Sequence, residues 1–158
     1  MNSELRVGIG FDAHAIADDV PLMLGGVEFP GERGLVGHSD GDVIAHALID
    51  ALLGAAGLGD IGTRFPPSDD RYRGAASLDL LRDAYGAVRD AGWTLVNADC
   101  VLIGEQPRLA ERRLELERAL AGALEGSVSV RGTTTDRLGF TGRGEGLAAQ
   151  AVALLRRA

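Results

Sequence analysis

The 158-residue chain contains no lysine: all sixteen of its basic residues are arginine. Arginine keeps its proton at any ordinary pH, so Schiff-base chemistry and general-base catalysis by a lysine are excluded. Cysteine is nearly absent as well. With Cys100 alone no disulfide can form within the chain, which sets aside the disulfide-stapled secreted folds. Asp and Arg interrupt every hydrophobic stretch before it reaches the roughly 20 residues that a membrane-crossing helix needs. The N-terminal MNSELRVGI lacks the apolar core of a secretory leader. A cytoplasmic protein without a membrane partner is therefore expected. The formal net charge of −7 argues against a broad nucleic-acid surface. A phosphate ligand remains open to such a chain if its charge is met locally, by metal ions, backbone N–H groups at helix starts or a few arginines.

What is present fits one domain over residues 1–158: the chain is 46% hydrophobic, enough for a core, and too short for two comfortable domains. It carries no internal repeat, linker or low-complexity tract. The run from His38 to Gly62 reads as its organising element. Ser39, Asp40 and Asp42 suit an N-cap and first turn, and Val43, Ile44, Ala47, Leu48, Ala51, Leu52 and Ala55 form an apolar face that should pack on a sheet. Asp42, His46 and Asp50 stand four residues apart on another flank, so a carboxylate lies within reach of the imidazole on either side. That is how a metal-binding histidine is held, and equally how a half-buried structural histidine is satisfied.

Arg6 to Phe11 reads as a first strand delivering Asp12 and His14 at its end. Spaced at i and i+2, the two either face one spot or form a turn with Asp12 as a local cap. Gly25-Gly26 between Leu22-Met23-Leu24 and Val27-Glu28-Phe29 signals a hairpin. Gly31 to Gly37 reads as a loop and Arg64 to Gly74 as a polar flap. Ser77 is placed as the cap of a second helix ended by Gly92. Trp93 to Ile103 is the longest strand candidate, a helix covers about Ala110 to Leu124, and Val128 to Arg131 forms a short strand. The segment after Gly146 is expected to be a last helix, running to Arg157. Between that strand and that helix, Gly132 to Gly146 combines three threonines, Asp136, glycines and Arg143, which suits an oxyanion-binding loop or a tight turn.

Five blocks together resemble the 2-C-methyl-D-erythritol 2,4-cyclodiphosphate synthases: GFDAHA from Gly10, the whole of His38 to Gly62, RFPPSDDRYRGAAS from Arg64, GEQPRL from Gly104 and TTTDRLGFTGRGEG from Thr133. The resemblance implies an α/β subunit with helices on one face of a mixed sheet, a homotrimer with active sites between subunits, and a metal-dependent intramolecular phosphoryl transfer that expels CMP. It implies that Asp12, His14 and His46 hold zinc, that Asp136 helps hold a second cation, magnesium or manganese, and that His38 and Thr134 stabilise the transition state. Substrate contacts are implied for Asp12, Ala13, His14, His38 and Ser39. The methylerythritol part falls to Asp60, Ile61, Gly62, Phe65, Pro66, Pro67, Ser68 and Asp69. The cytidine pocket of the neighbouring subunit falls to Gly104, Glu105, Gln106, Pro107, Arg108, Leu109, Ala110 and Thr133, with Thr134, Thr135, Asp136, Phe140 and Arg143 completing the set.

The chain departs from the family pattern at Asp136, where Glu is more usual, at Pro67, usually Asp, and at Arg108, usually Lys. Two rival readings use the same residues. One is a zinc phosphohydrolase that employs water in place of the tethered phosphate. The other is a non-catalytic trimeric module that binds a prenyl diphosphate, with Arg143 as a candidate contact, or a partner enzyme.

Overall fold

Residues 4–158 are described in the computed structural model; the first three residues of the N-terminal stretch read above lie outside it. The chain opens with a long strand, β1 (Leu5–Ala17), followed by the hairpin β2 (Met23–Leu24) and β3 (Val27–Glu28). Gly25 and Gly26 turn that hairpin at φ 59° and 77°, the positive values that a two-residue hairpin turn demands of both central positions. A short strand β4 (Gly34–Leu35) leads into the central helix α1 (Val43–Ala56). There follow α2 (Ile61–Arg64), a 3-10 turn over Asp70–Tyr72, α3 (Ser77–Asp90), β5 (Trp93–Ile103), α4 (Arg113–Leu124), β6 (Ser127–Thr133), α5 (Gly139–Gly142) and β7 (Gly146–Arg157).

Five strands form one mixed sheet in the order β4-β1-β7-β5-β6. β7 runs antiparallel to both β1 and β5, while β5 and β6 are parallel and joined through α4. A parallel pair needs a crossover of this kind, because a tight turn can only reverse the chain. The helices cover one face, as expected. On the other face Val7, Ile9, Phe11 and Val152 remain open to solvent, at 69%, 64%, 55% and 42% exposure.

Where a last helix was expected, the structure has β7, the central strand of the sheet. Ala, Leu, Gln and Arg are good helix formers, but here tertiary context overrides that preference. β1 and β5 pair with the segment on both sides, and from Ala149 onward burial alternates: Ala149, Ala151, Ala153 and Leu155 face the helices, Gln150 and Val152 the opposite side. Smaller differences concern boundaries. β1 runs through Asp12 and His14 instead of stopping before them, β4 interrupts the Gly31 to Gly37 loop, and α4 starts at Arg113. Ser77 is the first residue of α3, not its cap; the carboxylate of Asp40 accepts its N–H at 2.9 Å.

α1 is buried on nearly every side, which is the condition for a helix apolar all round. Its fit against β1 depends on two glycines. A Cβ on Gly8 would lie 2.0 Å from the carbonyl oxygen of Ala51, and one on Gly10 only 1.8 Å from that of Ala47. The helix rests directly on bare strand backbone.

Candidate metal centre and phosphate site

That close approach builds the centre. Along β1 the residues facing α1 alternate as Gly8, Gly10, Asp12 and His14, so the two functional side chains follow the two glycines on one face. On α1, His46 immediately precedes Ala47, whose carbonyl sits over Gly10. Strand and helix therefore bring three donor atoms together: His14 Nε2 lies 2.9 Å from Asp12 Oδ2, His46 Nδ1 lies 3.1 Å from the same oxygen, and the two nitrogens are 3.3 Å apart.

The outer nitrogens of both rings are engaged. His14 Nδ1 lies 2.6 Å from the Val36 carbonyl oxygen, which can only accept, so Nδ1 donates and Nε2 is turned to the centre. His46 Nε2 lies 2.8 Å from Ser77 Oγ and 3.0 Å from Ser39 Oγ. Burial alone would raise the Asp12 carboxyl, but the His14 and His46 rings beside it outweigh that and leave the group below the usual carboxylate range. The hydrogen bond with Asp12 raises His14 above the usual imidazole value, against the effect of burial. The first shift keeps Asp12 as a carboxylate, and the second reflects the pull of that carboxylate on positive charge beside it. Tetrahedral zinc at about 2.0–2.1 Å from nitrogen would separate its ligands by roughly 3.3 Å, close to the spacing observed. Asp12, His14 and His46 thus form a group that can hold a divalent cation.

The flank pairing expected for His46 is not what holds it. Asp42 is fully buried and caps α1, accepting N–H groups from Gly25 at 2.9 Å, Gly26 at 2.7 Å and Ala45 at 3.1 Å. Burial pushes its carboxyl up to about 6, the nearby Asp40 charge adds to the rise, and the three donors pull against it. Asp50 accepts from Ile61 N–H at 2.8 Å and so holds the start of α2. Helical spacing put both carboxylates within reach, but each is taken up by backbone donors: Asp42 by the hairpin turn and the first turn of α1, Asp50 by the start of α2.

A pocket of about 180 Å³ opens over the three ligands, walled by His38, Ser39, Ile61, Gly62, Phe65, Pro67, Tyr72 and Leu80. Phe65 and Tyr72 meet edge to face with ring centroids 5.2 Å apart. His38 Nε2 donates to the Asp69 carbonyl oxygen at 3.2 Å, and Gly74 N–H donates to the His38 carbonyl at 2.8 Å, which ties the middle and the last residue of the flap to the entrance of α1. Asp60 caps α2 through Thr63 N–H at 2.7 Å, while Pro66 and Ser68 lie between residues of the wall. Ala13 sits between Asp12 and His14 in β1, so its side chain points to the opposite face of the sheet.

The second group of expected residues lies elsewhere. β5 and β6 are parallel, so both deliver their C-terminal ends to one edge. There a pocket of about 460 Å³ is lined by Gly104, Glu105, Pro107, Arg108, Leu109 and Ala110 from the loop after β5, and by Arg113, Arg131, Gly132, Thr133 and Thr134. The Gln106–Pro107 bond in that loop is cis. Thr134 Oγ1 lies 3.5 Å from Asp136 Oδ1 and accepts the Asp136 N–H at 3.3 Å. Among the described residues Asp136 joins no cluster of metal-ligating side chains. Thr135 donates to the Leu138 carbonyl at 2.7 Å, Phe140 packs beside Gly146, and Arg143 is paired with Glu145 at 2.7 Å; none of them lines either pocket. The two pockets share no wall residue.

Sequence reasoning missed Asp40 and Ser77 as supports of His46, and Gly8 and Gly10 as the seat of α1. A signal existed for the glycines, since they alternate in phase with Asp12 and His14. None existed for the supports, which depend on where α3 begins in space.

The YgbB family model matches residues 5–156. A 2-C-methyl-D-erythritol 2,4-cyclodiphosphate synthase of Rubrobacter xylanophilus is 60% identical, over 97% of this chain and 96% of its own. The bifunctional IspDF of Campylobacter jejuni superposes with a TM-score of 0.95 at 41% identity, over 99% of this chain and 43% of that one. A CDP-bound 2C-methyl-D-erythritol-2,4-cyclodiphosphate synthase superposes with a TM-score of 0.87 at 38% identity, over 95% of this chain and 99% of that one. The chain belongs to the YgbB family, the 2-C-methyl-D-erythritol 2,4-cyclodiphosphate synthases.

Proposed function

We infer that the protein converts 4-diphosphocytidyl-2-C-methyl-D-erythritol 2-phosphate into 2-C-methyl-D-erythritol 2,4-cyclodiphosphate and CMP, a step of the non-mevalonate route to isoprenoid precursors. Residues 1–158 act as one synthase domain in the cytoplasm. The observation that carries this reading is the convergence of Asp12, His14 and His46 at the floor of a pocket, in a chain that shares the family's fold along its length.

In the reaction an oxygen of the 2-phosphate attacks the β-phosphorus, the bond from that phosphorus to the bridging oxygen breaks, and CMP leaves with the electron pair. Phosphoryl transfer of this kind needs positioning and charge neutralisation more than covalent chemistry. Zinc held by Asp12, His14 and His46 would supply a Lewis acid that neutralises phosphate oxygens, and magnesium or manganese at the diphosphate would be met by Asp136. His38 stands at the pocket wall as a donor to charge that grows in transfer, with Thr134 in the same role from the second half-site. The apolar wall of Phe65, Tyr72 and Leu80 keeps water away from the reacting phosphorus. The methylerythritol part lies against Ile61, Gly62, Phe65 and Pro67. The cytidine lies in the pocket formed by Gly104 to Ala110 and Thr133.

Because the half-sites lie apart within one chain, the working unit is a homotrimer in which each active site takes its metal ligands from one subunit and its cytidine pocket from the next. The open apolar sheet face of Val7, Ile9, Phe11 and Val152 supports this reading. Chromatography of reaction mixtures tests the activity. CMP should form in step with loss of substrate, stop when a chelator is added, and resume when zinc and magnesium are returned; no CMP under the last condition would refute the reading.

A further inference from the structure

Asp40, Ser77 and Ser39 gather around the outer nitrogen of His46, and the direction of their hydrogen bonds can be worked out from what each can donate. The Asp40 carboxylate accepts the Ser77 backbone N–H on Oδ2 at 2.9 Å and the Asp42 backbone N–H on Oδ1 at 3.1 Å. The Ser77 hydroxyl is hydrogen-bonded to the same Oδ1 and lies 2.8 Å from His46 Nε2. Ser77 is fully buried, with Ser39 Oγ as its remaining neighbour at 3.2 Å.

A hydroxyl has one proton, and an ionised carboxylate can only accept. The Ser77 proton therefore goes to Asp40, and Ser77 Oγ is left to accept from His46. That places the proton of His46 on Nε2 and leaves the lone pair on Nδ1, the atom that faces Asp12 and His14. Were Ser77 to donate to His46 instead, the half-buried Asp40 carboxylate would lose a donor and Nδ1 would carry a proton, which a metal ligand cannot do. Ser39, at 3.0 Å from Nε2, can share the same proton as a second acceptor and does not alter the direction.

We propose that Asp40 and Ser77 are positioning residues for the metal centre: acting through the Ser77 hydroxyl, Asp40 fixes the His46 tautomer and ring orientation, and so sets the cation affinity of the Asp12–His14–His46 site. The proposal rests on the reading of that trio as a metal centre. It assigns a function to a carboxylate one residue beyond Ser39 that touches no substrate pocket wall of the metal site, and it explains why Ser77 stands inside α3 with its hydroxyl free of capping duty. The same carboxylate caps α3 through the Ser77 N–H, so the start of α3 and the orientation of His46 are fixed by one group.

Ser77→Ala separates the two duties, because it removes the hydroxyl and keeps the backbone N–H that Asp40 caps. The full-length protein, wild type and variant, is titrated with zinc against a competing chelator, with thermal unfolding measured alongside. Support from a hydrogen-bonded partner of a histidine ligand is typically worth about 10–100-fold in metal affinity. A loss of that size in Ser77→Ala with a chelator-treated melting temperature close to wild type is the expected result. Equal zinc affinity in the two proteins overturns the proposal. Wild type that fails to bind zinc stoichiometrically, or His46→Ala that binds it as tightly as wild type, overturns the metal-centre reading itself, and the proposal with it. A measurement on wild type needs no variant to fold: nitrogen-15 NMR of the zinc-loaded chain should show the His46 proton on Nε2, and a proton on Nδ1 contradicts the assignment.

Discussion

At the scale of single residues, the two histidines of the HSDGDVIAH block have separable tasks. His46→Ala deletes one of three protein ligands, so zinc binding should weaken by orders of magnitude and activity should vanish with the metal. His38→Ala removes a donor at the pocket wall, for which a loss of roughly 10²–10³ in turnover is expected with zinc content unchanged. Metal analysis beside turnover numbers checks both, and His38→Ala purified without zinc would show that the roles are not distinct. Asp136→Ala should lower turnover far more than zinc content, with partial rescue by high magnesium, whereas Asp136→Glu should be tolerated. Steady-state kinetics at graded magnesium decide this. Cys100 is buried, and burial pushes its thiol up to about 12, so it holds no thiolate at neutral pH. A thiol reagent should label it only as the protein unfolds.

At the scale of elements, the most sensitive contact is the seating of α1 on β1. Gly10→Ala forces a Cβ to 1.8 Å from the Ala47 carbonyl oxygen, so the helix must lift, and His46 rides on it. The expected cost is about 1–3 kcal/mol of stability together with weaker zinc binding. Gly54→Ala, on the same helix where a Cβ meets nothing within 4 Å, should instead stabilise by about 0.5–1 kcal/mol. Denaturant unfolding and zinc titration of the pair test this, and equal behaviour of the two variants would contradict the close-contact reading. The same elements show what a sequence can disclose. The β2–β3 hairpin was legible because its Gly-Gly signal is local, and α1 because its apolar periodicity is strong. β7 was not, since Leu, Ala and Gln favour a helix and only the flanking strands β1 and β5 make the segment a strand. The phase of Asp12 and His14 could be read from strand alternation within three residues. The supports of His46 could not, because Ser77 is 31 positions away along the chain and its arrival depends on how α3 packs.

At the scale of the molecule, the subunit has two separate pockets and an apolar sheet face open to solvent, and the proposed trimer would account for both. The protein should sediment as a trimer. Phe11→Arg, which puts charge on that face, should shift it toward monomer and abolish activity while the subunit's own core stays intact. Mixing His46→Ala subunits with subunits altered in the cytidine pocket, such as Thr133→Arg, should restore part of the activity, since some mixed interfaces join two intact halves. A fully active monomer would contradict shared sites.

In the proposed reaction the attacking group is the substrate's own 2-phosphate, and water is kept out. Mass spectrometry of the products formed from 4-diphosphocytidyl-2-C-methyl-D-erythritol 2-phosphate in oxygen-18 water, with zinc and magnesium present, tests it most directly. CMP and the cyclic diphosphate should both appear without the heavy isotope. A methylerythritol 2,4-bisphosphate or inorganic phosphate carrying one oxygen-18 would show that water is the nucleophile, and that the site is a hydrolase.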